Sequence, residues 1–405
     1  MALHDVILPP PSREDVFARA ARVAFFTILV VQAGVGLGSL VNTYGEWLSQ
    51  ASGPGATDFV NVWAAGRLVL EGHPAAAYDW DIHRQMESFA IGREIESYFG
   101  WHYPPPFLAV AAVLALFPYA TAYFIWVATS STLYIATMRG IYKHRAAYLL
   151  AVSFPAVFPN MILGQNGFLT ASLMGGALGF MERRPVLAGC CLGLLTYKPH
   201  FGLLFPIVLA VSGRWTVFFT AAVVGTAMAL VSWLMFGFAA WEAFFHWLPK
   251  TSNVVLSAGQ ADWAKLQSIF GLVRTAGGSE TLSWSLMIAG ALLVAVAVCL
   301  LWRAQCAFDL KAAGLVTASL LVTPYVYAYD LVILAIAVVF FVRSATLGGL
   351  RAGEYVALTF MFLLLAGIPF LMLPLAVPAA AILGLLIALR AKADRFATRR
   401  DETGK

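Results

Sequence analysis

From Val23 to Val41 the chain passes nineteen residues without a charged side chain. A helix of that length crosses the roughly 30 Å hydrocarbon core of a bilayer. Such runs restrict the fold, because backbone polar groups in lipid must pair within the chain, which helices and closed barrels alone achieve. Comparable apolar runs recur almost to the C-terminus. Charged residues make up 12% of the 405, hydrophobic ones 60%, whereas soluble domains carry about 25% charge. The pattern predicts an all-α polytopic membrane protein, one integral domain over residues 1–405. Arg13, Arg19 and Arg22 precede the first run as in a signal peptide, but the run exceeds a signal core in length. It is read as an uncleaved span with its N-terminus in the cytoplasm. Cys190, Cys191, Cys299 and Cys306 lie in or beside apolar runs and suggest neither a disulfide framework nor a zinc site. The basic residues are scattered between spans, so the net charge of +5 speaks for topology and against a nucleic-acid partner.

The segment PPPFLAVAAVLALFP, Pro104–Pro118, decides the topology. Between its prolines it is short for a span, and treating it as one would put Arg139, Lys143 and Arg145 outside. It is therefore expected to lie in the outer leaflet. About twelve transmembrane helices follow, near residues 22–43, 120–138, 146–161, 167–181, 185–197, 200–212, 215–237, 282–302, 311–325, 328–342, 355–371 and 373–389. This map puts both termini in the cytoplasm, with most of the 26 Lys and Arg, as the positive-inside rule requires. It leaves two large external segments: a first loop, 44–119, with interfacial helices, and a second, 239–281. Short cytoplasmic connections without a Walker or dinucleotide glycine pattern argue against a nucleotide-driven engine.

The polar interruptions of the apolar runs all map to the external side. Asp58, in TDFVNVWAAGRL, is either a helix N-cap or a general base shielded by Phe59, Val62 and Trp63. His102, in WHYPPPF, is a surface histidine or a phosphate contact. Gln165 and Asn166, in ILGQNGF, form a turn or line a sugar site with their amides. Lys198 and His200 flank Pro199 in LLTYKPHFGLL; they snorkel or cradle a phosphate, and the cost of an ammonium at membrane depth favours the cradle. In TPYVYAYDLVIL, Tyr329 fits an interfacial aromatic belt and Asp330 a helix cap. Gln267 and Arg274, in KLQSIFGLVR, suit a solvated surface as readily as a site.

Taken in order, TDFVNVWAAGRLVLEGHPAAAYD, HYPPPFLAVAAVLALFP, GQNGFLTASLMGGAL, LGLLTYKPHFGLLFP, LQSIFGLVR and TPYVYAYDLVIL resemble glycosyltransferase family 87. These are polyprenyl-phosphate-mannose-dependent α-mannosyltransferase-like membrane proteins of the GT-C superfamily, and the resemblance covers roughly residues 20–340. It implies the GT-C fold and an inverting hexosyltransferase at the external face of the cell (inner or plasma) membrane. The donor would be a polyprenyl-phosphate sugar and the acceptor a lipid or glycan. Asp58 matches the catalytic base, and Lys198, with His200 or Arg274, would hold the donor phosphate. Gln165, Asn166, Gln267, Tyr329, Asp330 and His102 would meet the sugar or acceptor. Tyr329 and Asp330 stand where the mycobacterial-type mannosyltransferases carry a histidine-rich segment, so mannose is not fixed as the sugar. No cofactor or metal site is expected, with a divalent cation left open at Asp58, Asp79 or Asp330. The competing expectation is a polytopic lipid or lipid-linked sugar flippase without catalysis; transporters of that size show paired repeats and midplane polar residues, and neither is evident here.

Overall fold

The computed structural model describes residues 13–49, 55, 57–95, 99–259, 262–345 and 349–403. Residues 50–54, 56 and 96–98 of the expected first external loop, and 260–261 of the second, lie outside this description. Among the described residues the protein is helical, with one isolated antiparallel bridge between Leu266 and Tyr327.

Helix α1 (Arg13–Ser49) is 37 residues long and exposes Val23, Val30, Val35 and Val41. Two short helices follow, α2 (Phe59–Leu70) and α3 (Trp80–Ile91), joined through a 3-10 turn at Pro74–Tyr78. The next helix, α4 (Pro106–Leu114), turns through 119° into α5 (Tyr119–Ile141). Its nine residues reach roughly 14 Å, so α4 alone is too short to cross a bilayer. Gly66 lets α4 lie directly on α2, since a Cβ there would stand 2.1 Å from the Ala111 carbonyl oxygen.

A second bend, of 56°, separates α6 (Ala146–Ser153) from α7 (Val157–Leu163). Helices α8 (Gly167–Phe180), α9 (Pro185–Leu194) and α10 (Leu204–Val211) come next. The 38-residue α11 (Trp215–Ser252) breaks at Gly237, whose φ of 76° and ψ of 172° are not helical. Beyond the break Phe244 packs on Tyr78 and Trp247 on Trp80, which ties this segment to the 74–80 region. The chain ends with α12 (Ile269–Thr275), α13 (Glu280–Arg303), α14 (Phe308–Leu321), α15 (Val332–Ser344), α16 (Ala352–Leu371) and α17 (Ala376–Thr403).

By length and apolar character, five described segments can cross a membrane: Val16–Ser49, Trp215–Ser257, Glu280–Arg303, Ala352–Leu371 and Ala376–Arg395. The two bent pairs raise the number to seven. The expected twelve crossings therefore include helices too short to cross alone. Helices α8, α14 and α15 hold 14, 14 and 13 residues, roughly 20 Å each, and α9 and α10 are shorter still. Each is cut where the sequence turns polar: at Gly164–Asn166, at Lys198–Pro199, and at Thr323–Pro324. Burial separates the two kinds of helix. Helices α1, α11 and α13 carry exposed Val35, Leu234 and Leu293, an apolar surface that suits lipid. In α15 every residue from Val332 to Phe341 is buried, so this helix is core.

Candidate active site

At the start of α2, Asp58 occupies the capping position but does not cap. Its torsions are already helical (φ −57°, ψ −20°), and its carboxylate makes no bond to the first-turn amides. Asp58 Oδ2 instead accepts a hydrogen bond from Gln165 Nε2 at 2.8 Å. Gly164 brings Gln165 there. It ends α7 in the left-handed region (φ 64°), and a Cβ on it would meet Phe59 at 2.7 Å and Tyr123 at 2.9 Å. The α7–α8 turn thus rests on the first turn of α2. Burial raises the Asp58 pKa above the usual carboxylate range; the Gln165 hydrogen bond and the charge of Lys265 lower it part of the way back.

Lys198 lies between two 3-10 turns, Leu195–Tyr197 and Pro199–Gly202, where Pro199 has no N–H to continue a helix. Its Nζ donates to Asp330 Oδ1 at 2.7 Å, and the two residues are 5% and 2% exposed. The other Asp330 oxygen accepts from the Tyr327 backbone N–H at 3.1 Å. Around the ammonium stand the rings of Tyr329, Phe201 and Tyr103, at 5.6, 5.7 and 5.9 Å, within cation–π range.

Tyr103 joins the two halves. Its hydroxyl points to Gln165 Oε1 at 3.5 Å, while its ring faces Lys198. One line of contacts therefore runs from Asp58 through Gln165, Tyr103 and Lys198 to Asp330. Tyr103 was not among the residues the sequence singled out; the available signal was its position in HYPPP, directly before the prolines that start α4. Asn166 is 1% exposed, its side-chain amide has no hydrogen-bond partner of good geometry, and it neighbours the Tyr103 hydroxyl. A buried amide in that condition costs stability and is suited to a polar ligand.

The remaining candidates are distributed differently. His200 packs its ring on Phe201, 4.3 Å between centroids, and faces Tyr325, beside the Lys198 pocket. His102 accepts at Nδ1 from Trp247 Nε1 at 3.2 Å and lies 3.1 Å from Thr251 Oγ1, joining the Trp101–Tyr103 segment to the far part of α11. Gln267 is a clasp: Nε2 donates to the Ala264 and Leu373 carbonyls and Oε1 accepts from Ala376 N–H. Arg274 lies 3.8 Å over the Trp263 ring and donates to the Gly278 carbonyl. Among the described residues no group of three or more His, Cys, Asp or Glu is gathered as a metal site would need.

A cavity of ≈ 840 Å³ lies against Leu68, His73, Met86 and Phe236, at the opposite end of α2 from Asp58. The helix has 12 residues and is roughly 18 Å long, so this cavity is separate from the polar line. The polar line, rather than this hollow, carries the groups that can move a proton and hold an anion.

The family model for glycosyltransferase family 87 matches residues 101–324, more than half of the chain. The match takes in Tyr103, Gln165, Asn166, Lys198 and His200; Asp58 precedes it and Asp330 follows it. No curated protein and no solved structure matches the chain. With a helical membrane-type fold and a matched region that contains most of the polar line, this chain belongs to glycosyltransferase family 87.

Proposed function

We propose that the protein, built on a GT-C type fold, transfers a sugar with inversion from a polyprenyl-phosphate donor to an acceptor hydroxyl at the outer face of the membrane. Asp58 is the general base. The observation that carries this reading is its carboxylate, turned away from its own helix and held by Gln165. A capping aspartate would be occupied by amides; this one is presented to a site.

The chemistry asks for few parts. Asp58 takes the proton of the acceptor hydroxyl as that oxygen forms its bond to the anomeric carbon. The bond from the anomeric carbon to the phosphate oxygen breaks, and its electron pair stays on the phosphate. Because that leaving group is stabilised as an anion, it needs a cation rather than an acid, and Lys198 provides one. A second carboxylic acid, which glycosidases use to protonate an alkoxide, is not required. Asn166 and Gln165 offer amides for sugar hydroxyls, and the Tyr103 and Tyr329 rings offer faces on which a sugar can stack. The donor's prenyl chain remains in the bilayer.

The test compares wild type with Asp58→Asn in nanodiscs, using a panel of polyprenyl-phosphate sugars and following loss of the lipid-linked sugar. Turnover of one donor that disappears in the variant supports the reading. Equal turnover in both proteins removes Asp58 from the mechanism. Protein-dependent movement of a labelled lipid across liposomes, without turnover, makes the protein a flippase.

A further inference from the structure

Lys198 already holds an anion. We infer that Asp330 is a resident competitor for the phosphate that Lys198 receives: donor and product phosphates displace the carboxylate, which takes the ammonium back when the product leaves. This rests on Lys198 being the phosphate-binding residue of the proposed transfer.

Three observations carry it. The first is the burial of the contact, 2.7 Å between residues 5% and 2% exposed. With little water to screen it, a phosphate oxygen brought to the same ammonium sets two anions against one cation. The second is that Asp330 has a partner of its own. Its Oδ2 accepts from Tyr327 N–H, and the reciprocal capping arrangement around Ala328–Leu331 includes that bond. The carboxylate keeps this bond when Lys198 turns away.

The third is that Lys198 does not rely on Asp330 alone. Three aromatic rings lie within 6 Å of Nζ, and a lysine has three donors on a flexible stem. The ammonium therefore stays stabilised while it exchanges one oxygen for another. No proton moves in this exchange. Its effect is to weaken every phosphate bound at Lys198, so the polyprenyl phosphate left after transfer does not block the site.

The probe is undecaprenyl phosphate, measured for binding to the full-length protein in detergent. Asp330→Asn removes the charge and keeps an oxygen for Tyr327 N–H. The variant should bind the probe about tenfold more tightly than wild type, as loss of one charge-assisted competitor predicts, and should show a lower donor KM. Lys198→Gln should weaken binding. A folded Asp330→Asn protein that binds no more tightly than wild type overturns the exchange and leaves Asp330 as a prop for Lys198. Failure to fold with either Asn or Ser at position 330 overturns it too, because the carboxylate is then structural. If Lys198→Gln binds the probe as wild type does, the phosphate role of Lys198 itself falls, an outcome separate from the other two.

Discussion

Helices α2 and α3 both start behind an aspartate, and the two aspartates behave in opposite ways. Asp79 is extended (φ −89°, ψ 120°), exposed, and accepts from the amides of Asp81 and Ile82 at 3.0 and 3.1 Å. Asp58 has helical torsions, is partly buried, and gives its carboxylate to a glutamine 107 residues away in sequence. The first is a solved local problem: orphan N–H groups at a helix start need an acceptor. The second forgoes that local gain for a distant contact. A carboxylate withheld from its helix and partly desolvated is the arrangement a base needs.

The strongest way to break this contrast is to make the same substitution at both sites. Asp58→Asn should lower turnover by about 10²–10⁴-fold, the range for loss of a general base. Its melting temperature should hold or rise slightly. The sign follows from the raised pKa of Asp58. The folded state holds the proton more tightly than the unfolded chain, so stability falls as pH rises from the unfolded value through the folded one. At neutral pH the carboxylate is therefore a burden on the fold, and a neutral amide relieves it. A variant that loses stability and activity together would return Asp58 to a structural role.

A smaller effect sharpens the same point through pH. In the proposed mechanism acceptor deprotonation needs ionised Asp58, so kcat/KM should fall on acidification through a pKa raised above that of a free carboxylate. Gln165 favours the ionised form by donating to it. Gln165→Leu removes that donor, and the acidic limb should move to higher pH by about one unit, since a hydrogen bond to a charged group is worth roughly 1.5 kcal/mol. An unmoved limb would mean that some group other than Asp58 titrates. Gly66→Ala probes the support under α2: its Cβ would meet the Ala111 carbonyl oxygen at 2.1 Å. The clash should cost about 1–3 kcal/mol, read as a lower melting temperature.

The membrane class, the helical fold and the segments that meet at the candidate site were legible in the sequence, because uncharged run length and the places where it fails are local properties. The partners were not. TDFVNVW and YDWDIHR present the same signature of an aspartate before a helix, and nothing within seven residues says which will cap. The answer is set by the α7–α8 turn, which reaches Asp58 only because Gly164 admits a left-handed torsion against Phe59. Lys198 and Asp330 were each visible as polar residues out of place, yet their bond joins positions 132 residues apart. The resemblance alone joins Gln267 and Arg274 to the site; in the structure one clasps backbone groups and the other stacks on Trp263. Of the twelve expected spans, five to seven among the described residues are long and apolar enough to cross a membrane, and hydropathy does not show whether an apolar run faces lipid or, like α15, is wrapped by protein.

The smallest expected effects complete the contrast at Asp79. Asp79→Ala should cost about 1 kcal/mol through loss of the cap and lower the melting temperature by no more than about 2 °C, with turnover unchanged. Asp79→Asn should do almost nothing, because asparagine accepts the same amide hydrogen bonds and ranks beside aspartate as an N-cap. What α3 uses is an oxygen, with or without its charge. What the proposed chemistry uses at Asp58 is a group that can take a proton, and an amide oxygen cannot do so near neutral pH. One substitution, aspartate to asparagine, should therefore be nearly silent at the start of α3 and abolish most turnover at the start of α2. Thermal melts and donor turnover on the two single variants, measured side by side, separate a helix cap from a base without any knowledge of the sugar's acceptor linkage.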